Sequence, residues 1–229
     1  LARTYHHLVF FPYPDETVSS DDHLLPYHNH IRRLERILYI FAKMNSTFSY
    51  LQGFNELVSV IFYVLLSSHE YFGDDWTEIE AFSFYIMQAL FCETRIGDLF
   101  TMDDDLELLN DKMEDFMMIL KIHAPRASEI ITKLNINPLF FGCRWLNLLF
   151  AQDYSMPSLL LIWDALFSHF KDIVQFGYYI ATASISMASD RLKPNNYTET
   201  LNVLQKLYIN DIHQLLKLAN KFWNEDHPK

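Results

Sequence analysis

A nearly continuous apolar segment, residues 57–66, is the feature that most constrains how this chain can fold. Apart from Ser59 and Tyr63, every side chain in it is aliphatic or Phe, so a helix formed here has almost no polar face. Before this segment, apolar residues recur at helical spacing, at Ile31, Leu34, Leu38 and Phe41. We therefore expect two helices, and we expect the second to be buried.

A short polar stretch, residues 50–56, separates these two helices and has the sequence Tyr-Leu-Gln-Gly-Phe-Asn-Glu. A buried helix must satisfy its first backbone N–H groups, for which Gln52 offers a side-chain amide and Gly53 close access to the backbone. The simplest interpretation is that Ser49 or Asn55 caps the helix and Gly53 forms the turn. The alternative is that Gln52 presents its amide at a helix N-terminus, where anions are favoured.

The composition favours an all-α protein. A chain of 229 residues with 50% hydrophobic content can bury the core of one large domain or of two closely packed lobes. Five glycines are few for a sheet with tight turns, whereas 16% aromatic residues suit the gaps between helices. No segment shows the alternation of a strand. We expect roughly ten helices, with short connections after residue 45.

Charge and cysteine content narrow the partners and the compartment. A net charge of −11 and a pI near 5.3 disfavour nucleic acid, which is bound through clustered Lys and Arg. Cys92 and Cys143 each lie in an apolar segment, which predicts two buried thiols and a reducing, cytosolic compartment. No apolar run reaches the ~18 residues of a membrane span, and no signal peptide is recognisable.

Two polar clusters suggest metal binding at first sight. Five of the ten histidines lie in the first 30 residues: His6, His7, His23, His28 and His30. They are scattered over a proline-containing loop and a helix start without the spacing of metal ligands, so we predict no metal site. The run Asp103–Asp105 lacks the spacing of a calcium loop and precedes an amphipathic helix, whose dipole it favours.

Two charged residues stand within otherwise apolar segments of the second half, Arg144 beside Trp145 and Asp164 beside Trp163. A buried charge needs a partner, so we expect an Arg144–Asp164 ion pair that joins two helices, and a structural role for all four residues. Pro125 is expected to break the chain before a short helix from about Ser128. No nucleophile elbow, phosphate loop or zinc-protease motif occurs, so the chain has no recognisable active site of its own.

Residues 50–56, which follow a helix ending Ala-x-x-Asn, resemble the signature of TBC-domain Rab GTPase-activating proteins. Further motifs of that family match Leu1-Ala2-Arg3-Thr4, Asn137-Pro138-Leu139-Phe140 with Arg144-Trp145, Pro157, and Ile162-Trp163-Asp164-Ala165-Leu166-Phe167. The resemblance implies a multi-helix TBC domain of two packed lobes. The catalytic-lobe part would span about residues 1–120 and the C-terminal lobe about 121–229. Because the chain lacks an initiator Met and opens within a motif, we expect it to be part of a longer protein with an incomplete N-terminal lobe.

The resemblance also implies a function. Arg3 would be an arginine finger and Gln52 a glutamine finger, both inserted in trans into a GTP-bound Rab GTPase, while Tyr50, Gly53, Asn55 and Glu56 shape the surface under its switch region. Such a protein is a GTPase activator rather than an enzyme and has no cofactor of its own, since GTP and Mg²⁺ belong to the Rab.

The same resemblance implies a cytoplasmic protein of vesicle trafficking, recruited to endomembranes only through its partners. Two alternatives are a catalytically silent Rab-binding or scaffold module and an unrelated helical interaction domain.

Overall fold

A computed structural model describes residues 28–45, 53–72, 75–100 and 106–228. Within these ranges all regular structure is helical and no strand occurs, which confirms the all-α prediction. Ten α-helices are present there: α1 His28–Met44, α2 Phe54–Ser67, α3 Trp76–Glu93, α4 Leu106–His123, α5 Pro125–Lys133, α6 Gly142–Asn147, α7 Met156–Ser168, α8 Ile173–Met187, α9 Tyr197–Gln205 and α10 Ile212–Asp226.

Burial in the first helices follows the sequence pattern. In α1 the buried side chains include Ile31, Leu34 and Phe41, which form one stripe of an amphipathic helix. In α2, by contrast, every residue from Phe54 to Phe62 is buried. The helix without a polar face is therefore enclosed on all sides over its first nine residues.

Helix α5 begins earlier than the sequence suggests. Pro125 does not interrupt the chain before a helix but occupies the first turn of α5. Proline is favoured there because its fixed φ suits a helix and its missing N–H has no intrahelical partner to lose.

The chain divides into two compact units, one ending at Glu93 and one beginning at Thr94. In the first unit α1, α2 and α3 pack on one another. The ring of Phe54, at the start of α2, lies 4.7 Å from that of Phe91, near the end of α3, so these two helices run in opposite directions. The boundary at Glu93 precedes the lobe boundary near residue 120 suggested by the family resemblance, and α4 belongs to the second unit.

Helix α8 is the centre of the second unit. Twelve of its fifteen residues are buried, and it packs against α4, α6, α7 and α10. The end of α10 is attached to this core through Asp226, whose Oδ2 accepts a hydrogen bond of 2.8 Å from the Tyr179 hydroxyl and lies 2.8 Å from Nε2 of His123. Burial and the adjacent Asp226 carboxylate raise the pKa of Tyr179. Burial opposes ionisation of Asp226, but the hydrogen bonds from His123 and Tyr179 outweigh it and lower the pKa of Asp226.

The cysteine prediction was wrong in part. Cys143 is partly buried, but Cys92 is exposed. The sequence of α3 is apolar on more than one face, but only one face is buried. Its buried residues are Ile79, Ser83, Met87, Leu90 and Phe91, and Cys92 lies outside this face. No helix in the described ranges is both long enough and apolar enough to cross a membrane.

Candidate functional site

The N-terminus of α2 is closed by a glycine turn. Gly53 has φ 117° and ψ −27°, a conformation that side-chain-bearing residues rarely adopt, and it is buried. Its carbonyl oxygen accepts the N–H groups of Glu56 at 3.0 Å and Leu57 at 3.3 Å. Gly53 thus turns the chain and begins the helix, as its position in the sequence suggests.

Two polar side chains of the first helical turn are folded inward at this end. Asn55 Oδ1 accepts a hydrogen bond of 3.1 Å from the Gly53 N–H, and Asn55 Nδ2 donates to Glu56 Oε1 at 3.1 Å. Both side chains are only 4% exposed. Glu56 is the acidic residue of the first turn, a position that the helix dipole favours for a carboxylate. In this arrangement Asn55 and Glu56 support the backbone of the turn rather than lie on its surface.

Three phenylalanines surround the same helix end. Phe54 stands edge-on to Phe41 of α1 at 5.9 Å and to Phe91 of α3 at 4.7 Å, while Phe41 and Phe91 lie 5.4 Å apart. Aromatic pairs in this geometry stabilise by about 0.5–1.5 kcal/mol beyond their buried area. The start of α2 is therefore held between the end of α1 and the end of α3.

A reciprocal amide pair beside these rings was not foreseen from the sequence. Asn45 Nδ2 donates to Gln88 Oε1 at 2.7 Å, and Gln88 Nε2 donates to Asn45 Oδ1 at 3.0 Å. The pair joins the end of α1 to α3. Asn45 is the asparagine of the Ala-x-x-Asn ending noted above, but nothing in the sequence indicates that its partner lies 43 residues away.

Three of the predicted site residues, Arg3, Tyr50 and Gln52, lie outside the described ranges. The structure brings together Gly53, Asn55 and Glu56. The histidines at positions 6, 7 and 23 and the run Asp103–Asp105 lie outside the described ranges too. Among the residues that are described, no group of three or more His, Cys, Asp or Glu side chains has the arrangement of a metal site.

The predicted Arg144–Asp164 ion pair does not form. Asp164 is exposed. Arg144 Nη2 instead donates to Asp153 Oδ1 at 2.6 Å and to the Gln205 carbonyl at 2.8 Å, and the Gln205 side chain donates to the Phe140 carbonyl at 3.0 Å. Arg144 therefore links α6 to the end of α9. The Asp153 side chain is only 4% exposed, and burial raises its pKa although Arg144 acts in the opposite direction.

Both tryptophans of these motifs lie in the core of the second unit. Trp145 is 2% exposed and Trp163 is 5% exposed. Trp163 Nε1 donates to the Leu149 carbonyl at 2.9 Å. Leu149 and Phe150 have positive φ values of 46° and 64°, so α6 ends in a left-handed turn that Trp163 helps to fix.

The family assignment follows from comparison with known proteins. The model of the Rab-GTPase-TBC domain family matches residues 15–193. This chain therefore belongs to the Rab-GTPase-TBC domain family. Its membership excludes the interpretation as an unrelated helical domain. Gln52 and Gly53 fall within the matched residues, whereas Arg3 precedes them.

Relatives and a solved structure agree with this TBC assignment. TBC1 domain family member 13 of Homo sapiens is 32% identical over 193 residues, which are 84% of this chain and 47% of that protein. GTPase-activating protein gyp1 of Schizosaccharomyces pombe is 24% identical over 82% of this chain and 39% of its own length. The crystal structure of the Ypt/Rab-GAP domain of Gyp1p superposes with a TM-score of 0.75, covering 88% of this chain and 68% of that one at 21% identity. The chain thus spans about half the length of these curated relatives or less.

Proposed function

We propose that this TBC domain activates GTP hydrolysis by a Rab-family GTPase in its GTP form. The observation that carries the proposal is the family match over residues 15–193, a range that includes Gln52 and Gly53. In the structure, the buried start of α2 follows Gly53 directly. The similarity to proteins named as GTPase activators supports the same function.

The proposed chemistry supplies what a small GTPase lacks. Its hydrolysis is slow because charge on the transferring phosphoryl group is incompletely stabilised and the attacking water is loosely held. Arg3 would contact phosphate oxygens, since a guanidinium presents a fixed fork of donors and stays charged. Gln52 would orient the water, since one amide both donates and accepts. GTP and Mg²⁺ would come with the Rab, so the domain needs no cofactor of its own.

The geometry at the N-terminus of α2 suggests different roles for the other candidate site residues. Gln52 is bonded to the nitrogen of Gly53, whose hydrogen bond to Asn55 anchors that end of the helix. Asn55 and Glu56 would act by holding this turn, because both are buried. Tyr50 would contribute to the surface on which the Rab switch region lies. A domain of this kind would act in the cytoplasm on vesicle trafficking and reach endomembranes through its partners.

A catalytically silent Rab-binding or scaffold module is the second candidate. One observation favours it: the family match begins at residue 15, so the proposed finger Arg3 lies outside the matched residues. The two candidates differ only in whether a bound Rab is accelerated.

Single-turnover hydrolysis with a panel of GTP-loaded Rab proteins tests the proposal. We expect acceleration of at least one Rab, and we expect Gln52→Ala to abolish most of it while Rab binding and folding persist. Gln152→Ala, which changes an exposed glutamine of the second unit, is the matched control and should retain activity. A Rab that binds without being accelerated would support the silent module, and a panel with neither binding nor acceleration would refute both.

A further inference from the structure

An aromatic surface on the first unit has no role in the proposed chemistry. Tyr71 is 89% exposed, Tyr85 66% and Phe82 44%. Phe82 and Tyr85 share a face of α3, because Tyr85 follows Phe82 by one helical turn. Phe82 also packs at 5.5 Å against Phe72, which attaches the turn that carries Tyr71 to this helix. Contiguous exposed apolar side chains mark binding surfaces, whereas single exposed ones are ordinary.

Acidic residues flank these aromatic side chains. Glu70 precedes Tyr71, and Glu78 lies one turn before Phe82 on α3; both are exposed. We call Glu70, Tyr71, Glu78, Phe82 and Tyr85 the acidic aromatic face. The surrounding sequence itself supplies no cation to these carboxylates, because no Lys or Arg occurs between Lys43 and Arg95. That interval contains seven acidic residues: Glu56, Glu70, Asp74, Asp75, Glu78, Glu80 and Glu93.

The arginines Arg33 and Arg36 of α1 form ion pairs with Glu80, which is not part of the acidic aromatic face. Arg36 forms two hydrogen bonds with Glu80, and Arg33 lies 3.4 Å from the same carboxylate and stacks 4.2 Å above Trp76. Glu80 is thereby neutralised within the α1–α3 contact. Glu70 and Glu78 are exposed and form no ion pair among the described residues, so their charge is open to a partner.

The acidic residues of this face lie near the opposite end of α2 from the proposed site of GTPase activation. Helix α2 has 14 residues and is therefore about 21 Å long. Gly53 lies at its N-terminus, whereas the turn carrying Glu70 and Tyr71 follows its C-terminus. The inference below is therefore independent of the proposed function.

We propose that the acidic aromatic face binds a basic amphipathic segment of a partner protein. Lys or Arg side chains would meet Glu70 and Glu78 and could also lie over the rings of Tyr71 and Tyr85, where cations are attracted to the π face. Apolar side chains of the segment would pack on Phe82. The charge disfavours other occupants: nucleic acid and anionic membranes are repelled, and a second copy in a two-fold contact would bring the same acids together.

Binding of a synthetic peptide tests this inference. The probe is a fluorescently labelled amphipathic helix with Lys on one face and Leu and Phe on the other; a scrambled peptide of equal composition and a Lys→Glu version serve as comparisons. Fluorescence anisotropy with the whole chain should show saturable binding of the basic amphipathic peptide that weakens as salt rises. Carbodiimide cross-linking should join its Lys residues to Glu70 and Glu78.

Two variants with the same change in net charge make the test specific. Glu70→Lys with Glu78→Lys should weaken binding about tenfold or more. Glu114→Lys with Glu129→Lys, which makes the same change in net charge at exposed acids outside the acidic aromatic face, should leave it within about twofold. Tyr71→Ser with Tyr85→Ser should also weaken it. Equal losses in the two Lys variants would show attraction to the acidic chain as a whole, and equal binding of the scrambled peptide would show that no amphipathic segment is recognised; either result overturns the proposal.

Discussion

The Gly53 N–H donates a hydrogen bond of 3.1 Å to the side-chain oxygen of Asn55, two residues further along the chain. Together with the bond from the Glu56 N–H to the Gly53 carbonyl, it closes the first turn of α2 from within. The side chain of the second helical residue thus bonds the backbone of this buried turn. The residue that carries the proposed glutamine finger is joined directly to this turn.

Gly53→Ala should destabilise the protein by about 1–3 kcal/mol, because φ 117° is a strained conformation for any residue with a Cβ. Urea unfolding monitored by circular dichroism measures the change. Gly177→Ala is the matched control: Gly177 lies within α8, and an added Cβ would be 3.4 Å from the nearest side chain, that of Leu146. If both variants lose the same stability, the backbone of Gly53 is not the cause.

Arg144→Ala should cost about 1–3 kcal/mol at neutral pH, because it leaves the buried Asp153 carboxylate and the Gln205 carbonyl without their donor. Burial already raises the pKa of Asp153, and loss of Arg144 should raise it further. A raised folded pKa gives stability that is present below the unfolded value of about 3.9 and is lost as the pH rises through the folded value. The deficit of the variant should therefore shrink between neutral pH and about pH 4.

Arg126→Ala is the control for this prediction, since Arg126 and Asp190 form an ion pair of 2.8 Å with both side chains mostly exposed. Such a pair contributes only about 0–1 kcal/mol. Chemical denaturation across the pH range measures the free energy of unfolding of both variants. A deficit in Arg144→Ala that does not vary with pH would show that the ionisation of Asp153 is not involved.

Tyr179→Phe should cost about 0.5–1.5 kcal/mol at neutral pH, because Asp226 loses one of the two hydrogen bonds that hold the end of α10. The lowered pKa of Asp226 gives stability that is present above the unfolded value and is lost as the pH falls through the folded one. The deficit should therefore disappear in acid. Denaturation at neutral and acidic pH measures it, with Tyr197→Phe, which changes a 41% exposed tyrosine, as the control. An undiminished deficit in acid would contradict the role of Asp226.

Arg3→Ala and Arg3→Lys should both lower stimulated GTP hydrolysis by about 10³-fold or more while affinity for the GTP-bound Rab changes little. An arginine finger acts mainly in the transition state, and Lys does not reproduce its forked donors. Single-turnover assays and binding measurements with the full-length protein separate the two quantities. Activity that survives both substitutions would remove Arg3 from the mechanism.

The buried α2 and its glycine turn could be predicted because both follow from local properties, namely a missing polar face and a residue tolerant of positive φ. The partner of Arg144 could not. Asp153 reaches Arg144 only because the chain reverses at Leu149 and Phe150, two bulky residues with positive φ. Such residues rarely adopt that conformation, so the sequence shows no turn there. Arg144 and Asp164 stand within otherwise apolar segments, so the sequence favours a pair that does not form.

The exposure of Cys92 was missed for a related reason. Periodicity identifies a buried face when polar residues mark the opposite one, and α3 has apolar residues on both. The same property leaves Phe82 and Tyr85 exposed. An apolar helix can therefore be recognised from its sequence while its orientation depends on neighbours that only the structure reveals.

The complete burial of residues 54–62 limits the substitutions that this part of the chain can accept during evolution. An amphipathic helix such as α1 has a side on which substitutions are nearly neutral, so its sequence can drift with a period of about 3.6 residues. Helix α2 has no such side at its start, where even Asn55, Glu56 and Ser59 are enclosed. In a saturation mutagenesis library of this domain, all nine positions at the start of α2 should be intolerant of substitution, without periodicity. In α1, by contrast, tolerance should rise and fall with each helical turn.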